Sequence, residues 1–288
     1  MPKTIVFDYP YTTLPVYPVI LAAAKAKAES LGYEVLTTDD GGSLDNQVAN
    51  LTTMVNKGVG AIVTFPIESS ALTSVQQSAQ AAGTKWITYG ANMDGEDGSI
   101  DLANQASGSQ IAQALGAYLS AKNITTGTVL VLGNDTVELG RQRTSGMISG
   151  LKQYAPGLTV VQDLALGSDE GASVTQAKLV SDPSIDYVLA VNDDTALGAA
   201  IAFQEAGKSL DTSFIGGNDG TPTVLGDLKT NNSFIKATIA LDLTAIGQAV
   251  ATTSAAAIEG STATTYAAKP VTATPDSTNL DALIAQFN

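Results

Sequence analysis

The chain has 288 residues, 44% of them hydrophobic, enough to bury one large core or two moderate ones, and the usual size of a domain favours two. Its formal charge of −14, from 28 acidic against 14 basic residues, repels phosphate backbones and anionic headgroups, so no nucleic-acid partner is expected. There is no cysteine and no histidine, which removes disulfides, thiolate chemistry, the usual general base and the commonest transition-metal ligand, and with them Ser-His-Asp and Cys-His mechanisms.

Thr4 to Tyr9 is a short apolar run, followed by Ile20, Ala24, Ala28 and Leu31 on one helical face that ends at Gly32, which predicts a strand and then a helix. The pattern recurs with a strand at Glu34 to Thr38 and a helix carrying Leu44, Val48, Leu51 and Val55, stopped by Gly58. Gly60 to Phe65 suits a strand buried on both faces, Ser69 to Ala82 reads as helix, and Trp86 to Gly90 reads as strand. From Gln105 the cycle restarts, with helices to Ala121, at Leu139 to Tyr154, Gly171 to Ser181 and Thr195 to Ala206. The strands between them are expected at Thr128 to Leu132, Leu158 to Leu166, Tyr187 to Val191 and Ser213 to Gly216. A strand at Ser233 to Leu241, a helix from Leu243 to Ile258, strand potential near Val271 and an ordered end at Leu280 to Phe287 complete the reading. The Thr/Ala-rich stretch Ser261 to Thr274 between them reads as chain that packs back rather than as a linker.

Strands alternating with helices of this length require right-handed crossovers and a parallel sheet covered on both faces. The expected fold class is α/β, with two doubly wound parallel-sheet lobes. No run of about 18 apolar residues occurs, so no membrane span is expected. The chain runs from Met1 into the strand at Thr4 without an apolar leader, so a signal peptide, if the native protein has one, is expected to be missing from this sequence.

The segment Ala190-Val191-Asn192-Asp193-Asp194-Thr195-Ala196-Leu197-Gly198-Ala199 matches a strand-to-helix turn of the form N-D-x-x-A-x-G. Ile215-Gly216-Gly217-Asn218-Asp219-Gly220-Thr221-Pro222 matches V-G-x-D-G-T-P with glycine in place of valine at Gly216. Arg141-Gln142-Arg143-Thr144-Ser145-Gly146 is like an R-x-R-x-x-G helix start, and Ala237-Thr238-Ile239-Ala240 like a hinge strand. Over essentially the whole chain this resembles the ribose-binding-protein-like branch of the type I periplasmic sugar-binding proteins, which share their fold with the effector domains of LacI-type repressors. The resemblance implies a periplasmic-binding-protein-like I fold with a three-strand hinge. It places an N-terminal lobe at residues 1–104 plus 242–268, a C-terminal lobe at 105–241 plus 269–288, and a ligand between lobes that close on it.

Open α/β sheets bind ligands at the carboxyl ends of their strands. After the first strand come Asp8, Tyr9, Tyr11, Thr12, Thr13 and Tyr17, a mix of rings and hydroxyls suited to a sugar, although tyrosines here can also simply cap the sheet edge. After the fourth strand stand Tyr89, Gly90, Ala91 and Asn92, where ribose-like members carry a ligand-binding Asp-Arg pair; Tyr89 or Asn92 are the substitutes, and a plain loop is the alternative. Arg141 falls where the resemblance places a ligand-binding arginine, with an ion pair to Glu138 or Asp135 as the alternative. Asn192 and Asp219 follow strands and offer an amide and a carboxylate. Leu241 stands where the pattern has glutamine, and Asp242 either replaces that contact or caps the next helix.

Trp86 begins an apolar strand, which favours core packing over stacking on a ligand. The acidic loop with Asp94, Glu96 and Asp97 lacks EF-hand spacing, no phosphate-binding glycine motif occurs, and no metal or cofactor is expected. The expected function is an extracytoplasmic solute-binding protein of an ABC importer, periplasmic or lipid-anchored. It is a monomer that binds a sugar or polyol, presents itself to the transporter permease, and catalyses nothing. The alternatives are a LacI-type effector domain or a binding protein serving a chemoreceptor or sensor kinase.

Overall fold

The computed structural model describes residues 2–261 and 264–287, so residues 262 and 263 of the Thr/Ala-rich stretch lie outside the described residues. In chain order the elements are β1 (Thr4–Asp8), α1 (Val16–Ser30), β2 (Glu34–Thr38), α2 (Leu44–Asn56), β3 (Ala61–Thr64), α3 (Ser69–Ala81), β4 (Lys85–Tyr89) and β5 (Gly98–Asp101). Then follow α4 (Asn104–Ala121), β6 (Gly127–Gly133), α5 (Glu138–Tyr154), β7 (Leu158–Leu164), α6 (Ser168–Ser181), β8 (Ile185–Ala190), α7 (Asp193–Glu205), β9 (Phe214–Asp219), α8 (Pro222–Thr230) and β10 (Ile235–Ala240). The chain ends with α9 (Leu243–Ile258), β11 (Thr264–Ala267), β12 (Val271–Ala273) and α10 (Leu280–Ala285).

These elements group into two compact units. Unit 1 is Met1–Ala103 with Asp242–Lys269, and unit 2 is Asn104–Leu241 with Pro270–Asn288, so the chain passes between them three times. Unit 1 holds a six-stranded sheet in the order β11-β5-β4-β3-β1-β2, parallel throughout. Unit 2 holds a six-stranded sheet in the order β12-β10-β9-β8-β6-β7, parallel except for its edge, where β12 runs antiparallel to β10. The central strands read as continuous apolar runs because helices cover both faces: Ile5, Val6, Phe7, Ile62, Val63, Val129, Leu130, Val131 and Leu132 are all fully buried. In unit 1 Trp86 packs into the core beneath α2 and α3 with Val6, Leu51, Ile62 and Leu72.

The α/β class and the order of the apolar strands agree with the sequence reading; helix α8 is absent from that reading, and three further details differ. Strand β5, given no element in that reading, and β11, read as part of the Thr/Ala-rich tail, pair with each other at the edge of the unit 1 sheet; they are short and without an apolar run to mark them. Strand β9 extends through Asp219 instead of stopping at Gly216, because Gly217 to Asp219 continue the pairing with β10. Helix α7 starts at Asp193 because the Asn192 side chain accepts from the Thr195 amide at 2.8 Å and caps it.

Helices α4 and α5 lie backbone to backbone. A Cβ on Gly146 would stand 2.1 Å from the Gln105 carbonyl oxygen, and one on Gly108 would stand 2.1 Å from the Arg143 carbonyl oxygen. Gly146→Val is expected to lower stability by about 1–3 kcal/mol through overpacking, read as a lower urea midpoint at unchanged slope. An unchanged midpoint would contradict the close approach.

Candidate functional site

In each sheet the order reverses at the strand that opens the unit: β1 lies between β2 and β3, and β6 lies between β7 and β8. Connections leave the two sides of such a strand in opposite directions and open a crevice at the carboxyl ends. The residues at those ends form the candidate site of each unit.

In unit 1 the last residue of β1 is Asp8, which is fully buried. Its carboxylate accepts from Thr38 Oγ1 at 2.5 Å, Thr64 Oγ1 at 2.7 Å and Gln47 Nε2 at 2.9 Å, so it ties the ends of β1, β2 and β3 to α2. Gln47 also donates to the Phe65 carbonyl and accepts from the Ile67 amide, which fixes the loop after β3. Burial pushes the Asp8 carboxyl up, and the nearby Asp40 adds to the shift, against the three hydrogen bonds. No cation forms an ion pair with either acid among the described residues, and burial raises the Asp40 carboxyl as well.

Over this polar floor lies an aromatic cluster. The Tyr9 ring lies 5.0 Å from Tyr17, 5.4 Å from Phe65 and 5.8 Å from Tyr89 between centroids, and Tyr11 lies 6.0 Å from Phe65. Tyr17 and Tyr89 are buried within it, whereas Tyr11 and Thr12 are half-buried in the turn before α1 and Asn92 is exposed after β4. Of the residues read from the sequence, the structure thus brings Tyr11, Tyr17 and Tyr89 into one ring cluster and leaves Asn92 outside it. The acidic loop uses its own carboxylates: Asp97 accepts from the Trp86 amide at 2.9 Å and from Lys85 at 3.1 Å, and Glu96 accepts from the Met93 amide and the Thr88 hydroxyl.

In unit 2 the decisive residue is Arg143, which is 5% exposed. Its Nη1 donates to Asp219 Oδ1 at 2.7 Å and to the Val191 carbonyl oxygen at 3.0 Å, spanning the ends of β9 and β8, while its buried Nε has no partner. Arg141, the arginine singled out from the sequence, is instead half-buried on the outer side of α5 and donates to the Asp135 carbonyl oxygen at 3.0 Å. The signal that separates the two is helical spacing: Gly140, Arg143, Met147 and Leu151 form the buried face of α5, and Arg141 falls off it.

Asp219 sits at φ +110°, a strained backbone for a residue with a side chain, and is followed by Gly220 at φ +68°. A Cβ on Gly220 would meet Ala240 Cβ at 2.5 Å, so only glycine completes this turn. Burial raises the Asp219 carboxyl above its ordinary range, and the Arg143 guanidinium, paired with it at 2.7 Å, opposes that shift. Asn192 spends its Oδ1 on the helix cap, leaving its Nδ2 as a donor at the end of β8. Asp242 caps α9 by accepting from the Ala245 amide at 2.8 Å and is exposed.

Behind Asp219 lies Asp193, fully buried, which the motif contains but which sequence reasoning did not single out. It accepts from Thr238 Oγ1 at 2.6 Å, the Thr221 amide at 2.7 Å and Thr221 Oγ1 at 3.0 Å, bracing the turn that carries Asp219. Burial, with the charge of Asp219, raises its carboxyl to about 8.

Residues 5–262 match the family model described as periplasmic binding protein domain. The chain belongs to that family. It is 28% identical over 228 residues to the ribose import binding protein of Escherichia coli K12, covering 78% of this binding protein and 75% of that relative. It is 26% identical to the xylitol-binding protein of Mycolicibacterium smegmatis, over 64% of this chain and 52% of that protein. Among solved structures, the Caulobacter myo-inositol binding protein bound to myo-inositol superposes with a TM-score of 0.87 at 22% identity, covering 99% of both chains. At that identity the likeness shows the shared fold. Family membership makes this a binding protein rather than an enzyme. Among the described residues no helix is long and apolar enough to cross a membrane.

The Asp193 environment makes a pH prediction. Its folded value is raised from the ordinary 3.8 to about 8, so between these values the folded chain keeps a proton that the unfolded chain has lost. Stability from this group is full at the acidic end of that window, falls as pH rises through it, and is level above it. Urea unfolding at about pH 5 and about pH 8.5 is expected to show a larger fall for the native protein than for Asp193→Asn; equal falls would contradict the buried, protonated state.

Proposed function

We propose that this protein is the extracytoplasmic solute-binding component of an ABC importer and that its ligand is a sugar or polyol. The observation that carries the reading is the Arg143–Asp219 pair with the Asn192 amide at the carboxyl ends of β8 and β9. A guanidinium, a carboxylate and an amide together both donate to and accept from vicinal hydroxyls, while exchanging hydrogen bonds in a half-dry site where each is stronger than in water. Unit 1 adds the other half of sugar chemistry, tyrosine faces on which C–H surfaces pack, with Tyr11 the ring left half-exposed. The names of the ribose, xylitol and myo-inositol relatives support the same ligand class.

In this reading units 1 and 2 are the two ligand-binding lobes, and a membrane permease is the partner. Tyr11, Thr12, Tyr17, Tyr89 and Asn92 are the contacts proposed in unit 1, and Asn192, Asp219 and Arg143 those in unit 2, with Arg143 taking the role that the sequence assigned to Arg141. Asp242 is retained only as a helix cap. Nothing in the matches favours the transcriptional-effector reading.

Calorimetry against a panel of ribose, other aldoses, xylitol and myo-inositol tests the class, and a flat response to every member would overturn it. For the ligand so found, Arg143→Met is expected to cost about 2–5 kcal/mol, roughly 30-fold or more in affinity, by removing one partner of a buried charged contact. Tyr11→Ala is expected to weaken binding with little loss of stability, whereas Arg141→Ala is expected to leave affinity within about threefold. The opposite order for the two arginines would return the role to Arg141.

A further inference from the structure

Unit 2 has a second concavity at the other end of its sheet, by the amino ends of β9 and β10. It is a groove of about 810 Å³ between α4 and the segment that follows β12. One wall is aromatic: Tyr118 on α4 packs on Phe214, the first residue of β9, at 5.2 Å between ring centroids. The Tyr118 hydroxyl is committed to the backbone, donating to the carbonyl oxygens of Asp211 and Ser213, so the ring is held in place as a wall.

Lys236 reaches this groove through a local break in β10. In a regular strand Ile235 and Ala237 would share a face. Here Ile235 belongs to the core under α7 and α8 while Ala237 belongs to the core under α4 and α5, and the register with β9 shifts between them. Lys236 is the extra residue of that bulge, and bulges of this kind re-aim a side chain. The result is a half-buried ammonium with no carboxylate within ion-pair distance among the described residues, its charge disfavoured by burial, supported by Asp211 and opposed by Lys122.

Lys122 stands at the end of α4 with its Nζ 5.1 Å from the Tyr118 ring centroid, and it too has no salt bridge among the described residues. The groove therefore offers two cations with no ion-pair partner among the described residues beside an aromatic face, in a chain whose overall charge is −14. Burying an ammonium without a counter-charge is costly, and the cost is recovered when an anion binds. Asp211 and Asp276 also line the groove and limit that anion to one compact group.

We propose that this groove is a second small-molecule site, which takes an organic anion with its carboxylate or phosphate at Lys236 and Lys122 and its apolar body along Tyr118 and Phe214. The site is independent of the sugar-class ligand and of its contacts.

The test is an amide-resolved NMR titration of the whole chain with benzoate, phenyl phosphate and neutral benzyl alcohol. Saturable shifts confined to α4, β10 and the segment after β12, with a dissociation constant below about 1 mM for at least one anion and none for the alcohol, are expected. The stronger of the two anions identifies the headgroup. Lys236→Gln is expected to weaken it at least about tenfold, and Lys122→Gln, on an exposed side chain that tolerates change, carries the same test should the first variant fold poorly. No saturable response to either anion, equal binding of benzyl alcohol, or shifts unchanged in these variants would each overturn the proposal.

Discussion

The ion pair between Arg143 and Asp219 is the interaction around which the polar end of unit 2 is organised. A guanidinium that is 5% exposed is tolerable only with a carboxylate and a carbonyl in reach, and both are supplied from adjacent strands. Each requirement propagates outward. Asp219 must aim its side chain along the carboxyl edge, which costs a positive φ. That strain is held by Gly220 and by the Asp193 carboxyl gripping Thr221 and Thr238 behind it. Arg143 must start from a helix close to the sheet, and Gly133 of β6 allows this, since a Cβ there would stand 2.7 Å from Thr144 Oγ1 of α5.

Unit 1 solves the same problem by different chemistry. Its buried acid, Asp8, has no basic partner among the described residues and is satisfied by two threonine hydroxyls and the Gln47 amide, with burial favouring the protonated form. The ends of three strands are thereby locked, and the surface above them is given to packed tyrosine and phenylalanine rings. One unit presents charge and amide, the other aromatic faces. Each suits one side of a polyhydroxylated molecule, whose hydroxyls need paired donors and acceptors while its carbon faces need apolar contact.

Much of this was legible in the order of residues. Continuous apolar runs such as Gly60 to Phe65 mark strands buried on both faces, and alternation with helical periodicity forces a parallel arrangement. The Asn192 and Asp219 segments announced the turns that carry unit 2's polar groups. What escaped were features set by distant partners. Strand β5 forms on the backbone edge of β4 and β11 on that of β5, and Gln47 is ordinary until the ends of β1 and β3 stand beside it. Arg141 and Arg143 differ by two positions in a polar helix start, and only the inward face traced by Gly140, Met147 and Leu151 tells them apart.

Arg143 and Asp219, paired at 2.7 Å, are proposed as the groups that turn to a ligand's hydroxyls. A crystal structure with the tightest-binding sugar or polyol of the panel tests it most directly. The account predicts ligand oxygens within hydrogen-bond distance, about 2.6–3.2 Å, of both the Arg143 guanidinium and the Asp219 carboxylate. A bound ligand contacted by Arg141 instead, with Arg143 and Asp219 still bonded only to each other and to the backbone, would contradict it.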